Sequence, residues 1–446
     1  MGERLRSVGL DVGTTTTQVI LSELTVENRA SGFAVPQLEI VDRQILYRSP
    51  VAMTPLVGHD RIDGAALRQL VEEEYRKAGI TREGVDAGAV IVTGETSRKE
   101  NAETVLHSLA DLAGEFVVAT AGPDLESVLA AKGAGAVEFS RKMGKRVLHF
   151  DIGGGTSNYA LVEAGEIRQT GCLNVGGRLV KLDPAGVVTY VSPVLQKLCK
   201  LKMGDRPDPA QLEEVAALLT QGLEMVAGLR NPTELLNQLA TEEASHGREV
   251  QPVASGDAVI SFSGGVADCI EKEHLPLAFG DMGPMLGKVI RKSRLCQGAY
   301  RLGEETIRAT VIGAGCHSAQ LSGSTVFYRN VTFPLKDLPV VTDPAALARL
   351  DGSGILALPG VANPGYGQVV TLAEEILSRT PAGPIFVALE ADMAKALGHR
   401  LALLTEAERP ILCLDRVGLR DGDYLDVGEP VGPALPVVVK TLVLGR

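Results

Sequence analysis

Residues 146–162 read RVLHFDIGGGTSNYALV. A strand-like run ends at Asp151, a glycine-rich bend follows, and a second strand-like run leaves it, the pattern of a β-hairpin closed by a tight turn. Residues 7–24, SVGLDVGTTTTQVILSEL, repeat the plan. Asp11-Val12-Gly13 followed by Thr14 to Thr17 stands where Asp151-Ile152-Gly153 followed by Gly154, Gly155 and Thr156 stands 140 positions later. One supersecondary unit used twice predicts two related lobes, each opening on a strand, a turn and a strand. In EAGEI, Gly165 is expected to turn the second copy into a third strand.

Between the copies, Asp63 is placed to cap a helix whose Leu67, Leu70, Val71, Tyr75 and Ala78 share a stripe, with Gly79 as its stop. Strand GAVIVTGE comes next, then a capping box Ser97-Arg98-Lys99-Glu100 opening a helix with Ala102, Val105, Leu106, Leu109 and Ala113 on one face. Strand EFVVAT leads into ESVLAAKGAG, Glu126 to Gly135, a helix of small residues suited to close approach. After the second copy, Asp208-Pro209 opens a long amphipathic helix with Leu212, Val215, Leu219 and Leu223 on one stripe. Residues 241–257 are polar and read as a loop; AVISF reads as a strand running into Ser263-Gly264-Gly265, and ATVIG as another running into Gly313-Ala314-Gly315. Prolines recur beyond about residue 340, where GPIFVALEAD and PILCLDRVGL read as strands around one helix. The division expected is a first lobe over 1–145, a second over 146–339 and an added α/β region over 340–446, packed on the second lobe.

Length agrees, because one hydrophobic core rarely organises more than roughly 250–300 residues and this chain has 446. Forty-four basic against fifty-five acidic side chains leave a net charge of −11, with 4% aromatics and no Trp. Such a surface neither neutralises phosphate backbones nor stacks bases, so nucleic acid is not an expected partner. No secretory leader precedes Asp11 and no long uncharged apolar run occurs, so a cytoplasmic protein without membrane contact is expected. The six cysteines, Cys172, Cys199, Cys269, Cys296, Cys316 and Cys413, form no C-x-x-C pair and read as free thiols.

The paired turns carry the chemistry. Glycine lets backbone N–H groups approach phosphate oxygens, and Thr hydroxyls add donors. A carboxylate beside a triphosphate repels it unless a divalent cation lies between, and magnesium suits that place because it keeps water while touching one or two carboxylates. Two facing turns would clamp a metal-bound nucleotide between the lobes. Neither G-x-x-x-x-G-K-[ST] nor a strand-borne G-x-G-x-x-G occurs, so P-loop and Rossmann readings fail.

Five segments in order resemble the superfamily of actin, sugar kinases and heat-shock chaperone ATPases: DVGTTTT and DIGGGT its phosphate motifs, ESVLAAKGAGA and VIGAGCHSAQLSG its interdomain helices, and FSGGV its adenosine motif. Over the whole chain, including VTGETSRKENAETV, the resemblance is to the ethanolamine ammonia-lyase reactivating factors. It implies an actin-like, ribonuclease H-like α/β ATPase with mixed sheets flanked by helices. The implied cofactors are ATP and Mg2+, and the implied partner is ethanolamine ammonia-lyase, an adenosylcobalamin enzyme relieved of damaged cobalamin. A homodimer and a place at the ethanolamine-utilisation microcompartment go with it. Carried over, Asp11 and Asp151 would hold magnesium. Gly13, Thr14, Thr15, Gly153, Gly154, Gly155 and Thr156 would bind phosphates, Gly264 and Gly265 would receive adenosine, and Glu126 would position the attacking water as general base. A sugar or acyl kinase and a filament-forming protein of the same superfamily remain rival expectations. The separate small subunit that diol dehydratase factors swap into their target has no counterpart here, which sets subunit exchange apart from the expectation.

Other groups have plainer readings: Glu126 as a first-turn helix acid, Glu100 as the capping-box acid, His149 as a satisfied sheet histidine, and 141–146 as a basic loop, while Glu95 is open between the cleft and a solvated loop. His317 is open between the cleft and the packing.

Overall fold

The computed structural model describes residues 3–13, 16–28, 38–57, 61–81, 84–92, 109, 119–120, 123–241, 258–275, 277–317, 319–321, 326–344, 354–362, 364–380, 383–419, 423–428, 430 and 435–441. Thr14, Thr15, Glu95, the box 97–100, most of the helix expected after it and nearly all of 241–257 lie outside them, as do the side chains of Cys316 and His317.

The first sheet is built from β1 (Glu3–Val12), β2 (Thr16–Asn28), β3 (Leu38–Arg48), β4 (Ala52–Met53), β5 (Ala87–Val92) and β6 (Ala119–Thr120). Its order is β3-β2-β1-β5-β6, with β4 on β2. Strands β1 to β3 are antiparallel neighbours, and β5 and β6 add in parallel. The second sheet has β7 (Val147–Ile152), β8 (Ser157–Glu163), β9 (Glu166–Leu173), β10 (Val259–Ser263) and β11 (Tyr300–Leu302). Its order, β9-β8-β7-β10-β11, repeats the first with the same directions. The repeat extends to single residues. Asp11 pairs with Gln18 and Asp151 with Asn158, while Gly13 N–H donates to Thr16 O and Gly153 N–H to Thr156 O, both at 2.9 Å.

Helices cover both faces of these two sheets. The first, α1 (Gly64–Ala78), begins where Asp63 accepts from Ala66 N–H and ends at Gly79, as the sequence predicts, and buries Leu67, Val71 and Tyr75 against β1 and β2. Between the lobes, α2 (Pro123–Gly133) starts three residues before Glu126 and stops before Gly135, at which a new helix, Ala136–Met143, begins. In the second lobe α3 (Pro209–Val226) carries the expected Asp208 capping box and buries Leu212, Val215, Leu219 and Leu223. The stretch whose pattern reads as strand ATVIG is instead helical, α4 (Ala309–His317), as the resemblance of VIGAGCHSAQLSG to an interdomain helix implies, although Ala319–Leu321 within that stretch is a strand. A short apolar run has no period that separates buried strand from buried helix, and only packing decides.

The two interlobe helices exchange sides. Helix α2 precedes the second lobe in the chain yet packs on its strands β7, β8 and β9, whereas α4 follows that lobe and packs back on β1, β2 and β5. They cross through glycine. A Cβ at Gly133 would fall 1.9 Å from Ala309 O, and one at Gly313 would fall 2.0 Å from Leu129 O, so neither position has room for a side chain. Around the crossing, Leu129 meets Ile91 and Ala314, and Ile20 meets Val311 and Ile312.

A third, eight-stranded sheet lies C-terminal. Its parallel centre is formed by Leu335–Val341, Ile355–Leu358, Ile385–Leu389 and Ile411–Leu414, with helices Tyr366–Arg379 and Ala394–Leu404 between them. The two strands expected around one helix are therefore there, buried on both faces. Ala319–Leu321 and Phe327–Arg329 also join this sheet, ahead of the residue-340 boundary that composition suggests. Its Ala319–Leu321 and Pro436–Thr441 edge touches β3 and β6 of the first sheet. Among the described residues no helix is long and apolar enough to cross a membrane.

Candidate functional site

The repeated hairpins bring Asp11 and Asp151 to the inner ends of their central strands, beside the crossing of α2 and α4. Asp151 is held from two lobes. Ser263, its neighbour on β10, donates to Oδ1 at 2.5 Å, and Thr310 on α4 donates to Oδ2 at 3.3 Å. Burial pushes the Asp151 carboxyl above its ordinary range, and these two hydrogen bonds oppose the shift. His149 explains how Ser263 is aimed. Its Nε2 lies 2.9 Å from Ser263 Oγ and its Nδ1 3.1 Å from Ser261 Oγ. Ser263 gives its proton to Asp151, so it accepts from the ring at Nε2, and Ser261 donates to Nδ1. Burial holds the ring neutral by lowering its pKa to about 3. His149 is thus the satisfied sheet histidine expected.

Glu126 stands on α2, only 8% exposed, and accepts from Asn158 Nδ2 at 2.6 Å. It is not an exposed first-turn acid. Ser127 beside it donates to Gly171 O and helps fix the helix on β9. Asn158 is directly opposite Asp151, and residues so paired share a sheet face. Glu126, Asn158, Asp151, Ser263 and Thr310 therefore form one connected group. Gln18, directly opposite Asp11, donates through Nε2 to Ile307 O at 3.3 Å just before α4.

The turns are braced from behind. Thr54 donates to Gly13 O, while Gly177 and Arg178 N–H groups donate to Gly153 O and Gly154 O. The N–H groups of Gly13 and Gly153 close the turns themselves. A Cβ on Gly155 or Gly265 would meet nothing within 4 Å, whereas Gly154 has the Arg178 side chain alongside. Gly264 adopts φ +86°, and a Cβ there would lie 2.3 Å from Ile152 O, so the chain can cross the end of β7 only as glycine. Arg178 in turn is held by Asp281 at 3.1 Å.

Chemically the inner wall is rich in acceptors: three carboxylates and the amide oxygens of Gln18 and Asn158, both buried and without a hydrogen-bond partner. A triphosphate alone would be repelled by such a wall, while a hydrated divalent cation would be welcomed. The donor set therefore fits magnesium held largely through water. Among the described residues no three His, Cys, Asp or Glu side chains converge as a metal cage.

Sequence reasoning had no role for Gln18, Asn158, Ser263, Thr310 or Arg178. Of these, the first two were findable, since each stands seven residues after a turn aspartate. The basic run and the cysteines have plain structural roles. Arg141 and Lys142 pair with Glu138, and Arg146 with Glu163, so the basic run is solvated and ion-paired, but its first three residues end the helix Ala136–Met143 instead of forming the loop expected. Cys172, Cys269, Cys296 and Cys413 are buried free thiols, and Cys199 is a half-buried one.

Duplicated sheets of one strand order, crossed interlobe helices and paired aspartate turns define an actin-like, ribonuclease H-like fold. The family model described as "Ethanolamine utilisation protein EutA" matches residues 3–353 and 345–445, and the chain belongs to that family. It is 39% identical to the ethanolamine ammonia-lyase reactivase EutA of Salmonella typhimurium strain LT2 over 98% of both chains. The reactivase of the same name from Escherichia coli strain K12 shows the same identity and coverage. Among solved structures, the Ppx/GppA family member of Aquifex aeolicus is 14% identical, covering 70% of this chain and 97% of its own, at a TM-score of 0.43.

Proposed function

We propose that this protein is an ATP-driven reactivating factor for ethanolamine ammonia-lyase, releasing damaged cobalamin so that intact adenosylcobalamin can bind. The observation that carries the reading is the matched placing of Asp11 and Asp151 at the ends of sister strands, in a chain whose relatives over its full length are named reactivases. A magnesium ion, when bound, offsets the repulsion between these carboxylates and the triphosphate. Thr14, Thr15, Gly154, Gly155 and Thr156 meet phosphates, with Gly13 and Gly153 shaping the turns, and Gly265 leaves the backbone open to adenosine beside the bend at Gly264. Glu126, steadied by Asn158, orients a water and takes its proton.

The output is motion. Helices α2 and α4 each belong by sequence to one lobe and by packing to the other, so a change in how the nucleotide holds the turns alters the angle between the sheets. That angle sets affinity for the lyase, and hydrolysis resets it. The working frame is a first lobe over 1–145, a second lobe from 146, and a C-terminal region whose sheet takes in strands from Ala319 onward and offers a surface for the partner. The setting is cytoplasmic, at or within the ethanolamine-utilisation microcompartment, with room for a homodimer. The kinase reading is not favoured, because the full-length relatives are named for reactivation.

The test mixes the protein with cyanocobalamin-blocked lyase, ATP, magnesium and fresh coenzyme. Recovered deamination that needs ATP supports the reading; recovery no greater than in the ATP-free control rejects it. ATP consumption that instead rises with a polyol or acid and yields its phosphate ester would restore the kinase.

A further inference from the structure

We propose that Gln18 and Asn158 are a matched pair of outer ligands, whose amide oxygens accept hydrogen bonds from the water shell of the cation that a nucleotide brings into the cleft. The inference rests on the nucleotide site described above and goes beyond it in assigning two residues.

Each amide is oriented by its own nitrogen. Asn158 Nδ2 faces the Glu126 carboxylate at 2.6 Å and Gln18 Nε2 faces the Ile307 carbonyl at 3.3 Å. Both of those partners are acceptors, so the nitrogen must face them and the oxygen must face away. The two oxygens are then left buried with no hydrogen-bond partner, on residues only 3% and 4% exposed. Native proteins rarely leave a buried acceptor bare. Here the same atom is bare twice, at positions that the duplicated register makes equivalent, each directly opposite a turn aspartate.

The ligand they await must donate hydrogen bonds. Phosphate oxygens and adenine ring nitrogens cannot, and a bare metal ion would draw on carboxylates first. The water molecules that magnesium keeps when it binds phosphates can. With a carboxylate and an amide oxygen offered from each sheet, the shell is gripped from both lobes, and an outer ligand set of this kind typically governs metal affinity.

Tetraamminecobalt(III)–ATP tests this by binding alone. Its ammines donate hydrogen bonds and do not exchange, so a protein group can reach the cation only through the shell. Calorimetric titration should show the parent protein binding it, with Gln18→Met and Asn158→Leu each about tenfold weaker. Gln18→Glu and Asn158→Asp keep an acceptor oxygen and should bind it at least as tightly as the parent. A role in folding alone predicts the opposite for Asn158→Asp, which sets a second carboxylate against Glu126. Equal affinity in the parent, Gln18→Met and Asn158→Leu overturns the proposal while the nucleotide site stands. So does a parent that binds magnesium–ATP but not the cobalt complex. A parent that binds neither overturns the site and the proposal together. Circular dichroism checks that each variant is folded; should the Met and Leu variants unfold, loss of binding in the folded Glu and Asp variants overturns the proposal.

Discussion

Asn158 donates to Glu126 at 2.6 Å across the seam between β8 and α2, and so ties an interlobe helix to the strand directly opposite Asp151. The acid proposed to activate water is thereby fixed to a residue paired in the sheet with the acid proposed to face the cation. Ser127, the next residue, anchors the same turn of α2 to Gly171 O. Both anchors lie on α2, which precedes the second lobe in the chain and packs on its strands.

Removing either turn aspartate should abolish binding of magnesium–nucleotide, whereas Glu126→Ala should keep binding and slow hydrolysis by about 10²–10⁴-fold, the usual weight of a general base. Titration with a non-hydrolysable analogue and a phosphate-release assay separate the two effects. Unchanged turnover in all three variants would defeat the assignment.

Chelating magnesium should weaken nucleotide binding in the parent, because the acceptor wall then faces the triphosphate directly. Titrations with and without EDTA measure the difference; nucleotide binding that is indifferent to the metal argues against the facing carboxylates.

The helix crossing should tolerate no added methyl. Gly133→Ala and Gly313→Ala each force backbone apart at a contact of about 2 Å and should cost at least about 1–3 kcal/mol, the range for overpacked cores. Gly155→Ala, where the added carbon would meet nothing within 4 Å, should leave stability within about 0.5 kcal/mol. Urea midpoints with unchanged slopes make the comparison.

His149 should register in acid. Its folded pKa, about 3, lies below the roughly 6.5 of an unfolded histidine, so the unfolded chain binds the proton first. Its stabilising contribution is full above the unfolded value and is lost as pH falls towards the folded one, with a slope of up to about 1.4 kcal/mol per pH unit. In urea titrations between pH 6.5 and pH 4, His149→Gln should lack that component of the slope; identical slopes would show that the ring is not buried neutral.

Much of this molecule could be read from local chemistry. The two Asp-x-Gly bends, the Asp63 and Asp208 caps and the Gly79 stop depend on a few adjacent residues, and the structure places each where its neighbours predict. Helix α4 could not be read as easily, because ATVIGAGC is apolar on every side and suits a buried strand equally well. Strand β3 went unread for a related reason: its mixed polar and apolar residues acquire a pattern only beside β2. Ser263 and Thr310 reach Asp151 from 112 and 159 positions away, and no spacing rule connects residues so distant.

The linear order of residues was sufficient for the duplication, the aspartate turns and the family, since these are short-range or repeated patterns that survive without knowledge of neighbours in space. Folding alone decided that α2 and α4 trade lobes through Gly133 and Gly313, and that Asn158 and Gln18 each turn a bare oxygen inward. Those outcomes depend on close packing between segments remote in the chain, where backbone clearance and the count of available donors, not local preference, determine what fits.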